Sequence, residues 1–141
     1  MNAVVVDSNV LLDIATEDAV WARWSIEAIR ASRASGARLL IVPTIYAELS
    51  AGYPTKDALD RMVETLLLDY EETDREGLFV AGHAFKRYRH RGGKRRSPLP
   101  DFFIGGHAQV KGYSILTRDA KRYKTYFPEV AVIAPDGGRH G

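Results

Sequence analysis

The 141-residue sequence predicts an α/β protein, a three-layer α/β/α sandwich built on a mostly parallel central sheet. Two observations carry that expectation. Short aliphatic runs, too brief for helices, recur along the chain and alternate with longer segments of helical spacing. The first two runs, Ala3-Val4-Val5-Val6 and Leu39-Leu40-Ile41-Val42, are apolar at every position, as strands are when both faces of a parallel sheet are covered. No repeat, low-complexity tract or Pro/Ser linker divides the chain, so residues 1 to 141 read as one domain.

Residues 3 to 6 form the first strand, and Asp7-Ser8-Asn9 ends it, with Ser8 or Asn9 placed to cap a helix through Val10, Leu11, Leu12 and Ile14. A second helix is predicted over 18 to 34, with Gly36 as its terminator. Residues 38 to 42 make the second strand, and Pro43, permitted in a first helical turn, opens the helix carrying Ile45, Glu48 and Leu49. Thr55 caps a helix whose Leu59, Met62, Val63, Leu66 and Leu67 form one apolar stripe. A weak strand over 68 to 73 leads to a helix from Asp74 into a basic run. Pro100 calls for an extended approach to a helix over 102 to 111 that Asp101 opens and Gly112 closes. Strands over 113 to 116 and 130 to 133 then flank a short helix entered through Thr117-Arg118-Asp119.

Composition narrows the function classes. Cys is absent, which excludes disulfides, thiolate nucleophiles and Cys-based zinc sites and fits a reducing, cytoplasmic setting. No stretch is long and apolar enough for a membrane span. The net charge of +2 averages two opposites: of 20 Lys and Arg, seven fall in residues 86 to 96, which hold no acid, leaving 13 bases against 18 acids elsewhere. A basic stretch on an acidic domain suits a polyanionic partner, with Tyr88 and a second group (Arg118, Lys121, Arg122, Lys124) as further candidates for nucleic-acid contact.

The acids fall at telling positions. Parallel sheets bind ligands beyond the carboxyl ends of their strands. Asp7 ends strand one, Glu48 lies early in the helix after strand two, Asp101 begins the helix leading into strand four, and Thr117 and Asp119 follow strand four. Any one of these acids alone reads as a helix cap; convergence on one rim argues for more. Carboxylates so gathered must neutralise or find a cation, and an oxygen-only donor set suits magnesium or manganese rather than zinc. Beside a basic strip, that is the chemistry of phosphodiester hydrolysis by an ion-activated water. Asp13 is expected to face solvent or stand behind the site. His83, His90, His107 and His140 share no metal spacing and read as surface or helix-face residues, and Trp21 and Trp24 as helix packing or a protein contact.

Four motifs in order resemble the PIN domain, and specifically the VapC-type toxin ribonucleases of toxin–antitoxin pairs. They are Val5-Val6-Asp7-Ser8-Asn9-Val10-Leu11-Leu12-Asp13, Val42-Pro43-Thr44-Ile45-Tyr46-Ala47-Glu48-Leu49, Leu99-Pro100-Asp101-Phe102-Phe103-Ile104-Gly105-Gly106-His107-Ala108 and Leu116-Thr117-Arg118-Asp119. The resemblance implies a PIN-like fold and a Mg²⁺-dependent endoribonuclease, with Mn²⁺ as an alternative ion. Asp7, Glu48, Asp101 and Asp119 would form its acidic pocket, assisted by Asn9 and Thr117. It further implies a homodimer and a VapB-type antitoxin covering the site. Within that expectation Asp7 and Asp101 are the principal ligands, Asp119 completes the set, and Glu48 orients or deprotonates water. Arg91, Lys94, Arg95, Arg96 and Arg118 would hold the backbone of a structured RNA such as tRNA or ribosomal RNA. Gly105-Gly106 stands where the family more often has Ala or another small residue, and is expected to permit close packing on the sheet.

Competing classes fit less well. A haloacid-dehalogenase-like phosphatase needs a second acid where Asn9 stands, and a receiver domain needs a Lys where Ala134-Pro135 follows the last strand. Dinucleotide binding lacks its Gly-x-Gly-x-x-Gly. A PIN-fold RNA-processing nuclease outside toxin systems remains an alternative, as does a catalytically silent RNA-binding module, although no acid is missing.

Overall fold

A computed structural model describes residues 2–92 and 99–135. Twelve elements follow in chain order: β1 (Ala3–Val6), α1 (Ser8–Ala15), α2 (Ala22–Ala34), β2 (Arg38–Ile41), α3 (Pro43–Ser50), α4 (Lys56–Thr65), β3 (Asp69–Tyr70), α5 (Arg75–His90), α6 (Leu99–Lys111), β4 (Ser114–Leu116), α7 (Lys121–Tyr126) and β5 (Val132–Ile133). The five strands form one sheet in the order β3-β2-β1-β4-β5, every pairing parallel. All four residues of β1 are buried, as a central strand covered on both faces requires. The sandwich architecture expected from the sequence is therefore present, and the sheet is parallel throughout.

That strand order places the site. From β1 the chain winds outward to β2 and β3, then crosses back to β4 on the other side of β1. The crevice beyond the carboxyl ends of β1 and β4 is thus the switch point at which doubly wound sheets bind ligands. Val6 is in register with Leu116, and Asp7 N–H donates to Leu116 O at 2.9 Å, so Asp7 and Thr117 emerge side by side.

Several boundaries differ from expectation for local reasons. Asp7, rather than Ser8 or Asn9, caps α1, its carboxylate accepting from Ser8 N–H. Helix α2 begins at Ala22 rather than 18, because the Asp18 carboxylate takes the Val20 and Trp21 N–H groups into a turn. Helix α6 starts at Leu99, two residues ahead of Asp101, and Pro100 lies in its first turn, where a missing N–H costs nothing. Thr55 caps α4 as read, and Asp74, read as the start of the next helix, is the cap of α5. Gly112, at φ 74°, ends α6 in the left-handed conformation that favours glycine.

The core joins β1, β2 and β4 to Val10, Leu11, Ile45, Leu49, Phe102, Ile104 and Phe127. Tyr88 stacks among Phe85, Phe102 and Tyr126, which gives it a packing role. Gly105 and Gly106 do permit close approach, although their near neighbours are Phe127 and helix α5, not the sheet.

His107 is a second correction. Far from lying on the surface, it is 1% exposed, with Thr73 Oγ1 3.0 Å from Nδ1 and Glu71 Oε1 3.0 Å from Nε2. Against the pull of desolvation, bonds from Arg38, His107 and Tyr113 hold the Glu71 carboxyl below its ordinary value. The cluster ties β2, α6 and the ends of β3 and β4 together. Among the described residues no helix is long and apolar enough to cross a membrane.

Candidate active site

Asp7 is the buried centre of the rim, 5% exposed. Its Oδ1 accepts from Ser8 N–H at 2.8 Å, and its Oδ2 accepts from Thr117 Oγ1 at 2.9 Å and Tyr123 OH at 3.0 Å. Thr117 Oγ1 in turn accepts from Asn9 Nδ2 at 3.3 Å and from Asp119 N–H at 3.1 Å. Asn9 and Thr117 therefore stand behind Asp7 and orient it.

The other acids gather around Asp101. Its Oδ2 lies 2.7 Å from Arg122 Nη1, and its Oδ1 3.4 Å from Tyr123 OH. Glu48, on the solvent edge, accepts from Ser8 Oγ at 2.9 Å. Asp119 is exposed beside Thr117. Electrostatics show the grouping directly. Burial first, then the charge of Asp101, push the Asp7 carboxyl up to about 6. Burial raises Glu48, with Asp101 adding to it. Burial also raises Asp101, with Asp119 adding and Arg122 opposing. Burial, then Asp7 and Asp101, drive the Tyr123 phenol well above its ordinary value, so it remains a donor. Asp7 and Glu48 thus feel the charge of Asp101, and Asp101 that of Asp119, although the four do not form a tight cage. Among the described residues no three acidic or histidine side chains are grouped closely enough to hold a metal ready-made.

The chemistry of this donor set nonetheless fits a hard divalent ion. Magnesium characteristically takes one or two carboxylates and keeps several of its waters. Asp7 and Asp101 are two such carboxylates, linked through one hydroxyl and each costly to leave charged and unpaired. They would hold the ion, with Glu48 and Asp119 at its margin.

Three contributors escaped the sequence reading: Ser8 on Glu48, Tyr123 between Asp7 and Asp101, and Arg122 as a specific partner of Asp101. The inward aim of Tyr123 left no clear signal in a helix of six residues, although it and Phe127, four residues on, are both buried. Arg118 is placed differently from the other basic candidates. Its Nε and Nη2 lie 2.7 and 3.0 Å from the two Asp13 oxygens, and its guanidinium is 5.2 Å over the Trp21 ring. Asp13 is 3% exposed and also accepts from Ser25 Oγ, so it braces α1, α2 and the β4–α7 turn rather than facing solvent. Removing one partner of a buried ion pair leaves an uncompensated charge, so Arg118→Ala should cost roughly 2–4 kcal/mol in a urea melt. A loss below 0.5 kcal/mol, on the scale of about ±0.5 kcal/mol usual for surface substitutions, would remove the brace. Arg91 is exposed at the end of α5, 5.5 Å over the Tyr126 ring. Lys94, Arg95 and Arg96 lie outside the described residues.

The chain is thus an α/β domain with a parallel, doubly wound sheet and acidic side chains at its switch point. The PIN domain family matches residues 4–128, and the chain belongs to that family. Comparison with curated protein sequences gives no significant match. Among solved structures, VapBC2 from Rickettsia felis, bound to a promoter DNA fragment, superposes with a TM-score of 0.71 at 16% identity, covering 95% of this chain and 99% of that one. DNA-bound VapBC from Salmonella typhimurium gives 0.70 at 18%, covering 95% and 98%. VapBC-5 from Mycobacterium tuberculosis, of the VapBC family of toxin–antitoxin systems, gives 0.59 at 17%, covering 96% and 100%. At these identities the likeness is one of fold.

Proposed function

We propose that this chain is a metal-dependent endoribonuclease acting as the toxin of a toxin–antitoxin pair. The observation that carries the reading is the pairing of Asp7 and Asp101 at the switch point through Tyr123, where burial of both and the charge of Asp101 on Asp7 create a demand for a cation that Arg122, on one oxygen of Asp101, meets only in part. Membership of the PIN family and the fold shared with VapBC proteins support it. A bound Mg²⁺ or Mn²⁺ would acidify a water and offset charge on a phosphoryl oxygen. The protein's own groups do the rest. Thr117 and Tyr123 fix the Asp7 carboxylate, and Asn9 fixes Thr117. Glu48, held by Ser8 and raised by burial, is placed to take a proton from attacking water. Asp119 completes the acidic set. In this reading the chain is cytoplasmic, dimeric and inhibited by a VapB-type antitoxin.

The basic segment from Lys86 through Arg91, continuing to Lys94, Arg95 and Arg96, would hold the RNA backbone. Substituting Arg91, Arg95 and Arg96 by Ala should weaken RNA binding and lower the slope of log K against log salt by roughly 2 if three phosphate contacts to single-stranded RNA are lost. An unchanged slope would remove the segment from the interface.

The function is tested by expressing the wild-type and Glu48→Gln chains in bacteria and sequencing RNA 5′ ends. The expected result is new ends, at defined positions in tRNA or ribosomal RNA, with the wild type only. Absence of new ends, or equal ends with both chains, would contradict it. A PIN-fold processing nuclease would cut its RNA without arresting growth and would bind no antitoxin.

A further inference from the structure

Helix α7 opens with Lys121, Arg122 and Tyr123, and the last two donate into the acidic pocket. Arg122 is the cation that pairs with one of the four acids; among the described residues no other Lys or Arg does so. Its attachment differs from that of Arg118. Arg118 uses two nitrogens on the buried carboxylate of Asp13, and is locked. Arg122 uses one, Nη1, on a carboxylate that is 30% exposed, and the rest of its fork makes no hydrogen bond among the described residues. The ring of Tyr88, 5.8 Å from the guanidinium carbon, supports it at the rim.

We propose that Arg122 is a phosphate-contacting residue of the reaction, held on Asp101 in the unloaded protein and released from it when a divalent cation engages that carboxylate. This rests on the reading of the pocket as a divalent-cation site for RNA hydrolysis. Two physical points support it. A guanidinium and a divalent cation compete for the same Asp101 oxygens, and the doubly charged ion answers the neighbouring charges of Asp7 and Asp101 better than a single positive charge. Once released, a planar fork matches the paired non-bridging oxygens of a phosphodiester in a way an ammonium does not. Arg122 thus keeps Asp101 oriented before loading and then faces the scissile phosphate from the side of α7.

The two roles give opposite signs in two measurements. In RNA-free protein titrated with Mn²⁺ and read by electron paramagnetic resonance of the free ion, Arg122→Gln should bind Mn²⁺ about two- to fivefold more tightly, the scale of a partly exposed ion pair removed from competition. Lys124→Gln removes the same charge from the same helix without touching Asp101, and should shift affinity less than twofold. Cleavage at saturating Mg²⁺ should fall about 100-fold or more in Arg122→Gln, as when a preorganised donor to a transition state is lost. Thermal melting of both variants shows that they are folded. Mn²⁺ binding by Arg122→Gln that is no tighter than wild type, equal tightening in Lys124→Gln, or undiminished cleavage by Arg122→Gln would each overturn the proposal. Asp101→Asn separates this from failure of the underlying reading. Wild-type protein that binds no Mn²⁺, or Asp101→Asn that binds it equally, rejects the pocket itself, whereas Asp101-dependent binding that Arg122→Gln leaves unaltered rejects Arg122 alone.

Discussion

Asp7→Asn is expected to be inert towards RNA and, in the absence of metal, more stable than the wild type. Loss of a ligand that supplies several kcal/mol of transition-state stabilisation corresponds to roughly 10³-fold or more in rate. The stability gain follows from burial. The Asp7 carboxyl titrates at about 6 in the fold against 3.8 for its ordinary value. Below the ordinary value it is protonated in both states and costs nothing. As pH rises through about 6, the folded state must carry a buried charge beside Asp101, and stability is lost. The difference amounts to roughly 3 kcal/mol by linkage, fully expressed above about pH 7. Asparagine removes that cost but carries one side-chain oxygen where Asp7 uses two, so it can cap α1 through Ser8 N–H or accept from Thr117 and Tyr123, not both, a loss of about 1 kcal/mol that does not depend on pH. Urea melts in chelator should therefore show the variant gaining about 2–3 kcal/mol on the wild type between pH 4 and pH 8, and about 1–2 kcal/mol more stable than it at pH 8. A variant less stable at every pH, or a difference independent of pH, would mean that Asp7 is a structural cap.

Gly106→Ala should destabilise the protein by about 3 kcal/mol or more, despite the ~1 kcal/mol that Ala gains over Gly in a helix. A β-carbon at Gly106 would lie 2.9 Å from Ala81 N and closer still to Gly77 O. Both are backbone atoms of α5, so relief requires α5 and α6 to separate. Because α6 carries Asp101, the same separation should lower nuclease activity. Gly82→Ala on the facing helix is the matched comparison: nothing lies within 4 Å of the added carbon, and the change should be neutral or stabilising by up to about 1 kcal/mol. Equal urea midpoints for the two variants would show that α5 and α6 are not in the contact described.

The sheet was legible because its central strands are short and wholly apolar, a pattern that a helix of four residues cannot produce. Asp7, Glu48, Asp101 and Asp119 were legible because strand ends in a parallel sheet share one rim, so position along the chain translates into position in space. What was not legible depends on pairs far apart in sequence. Arg118 reads as a free cation, yet its partner Asp13 lies 105 residues away. His107 reads as surface because Glu71 and Thr73, which satisfy both ring nitrogens, come from the segment around β3. Tyr123 sits in a six-residue helix too short for a clear periodicity, so nothing in the local pattern marks it as the buried residue whose hydroxyl reaches Asp7. Pro100 misled in a simpler way: it disfavours helix in the preceding residue, but a first turn tolerates it.

The most direct test of a carboxylate rim that uses a divalent cation to hydrolyse RNA is cleavage by the purified chain under chelation and restoration. Single-stranded RNA should be cut in Mg²⁺ or Mn²⁺, remain intact in excess chelator, and be cut again at the same positions when Mg²⁺ is returned in excess. Cleavage that continues undiminished in excess chelator would contradict the assignment of Asp7 and Asp101 as the cation's ligands.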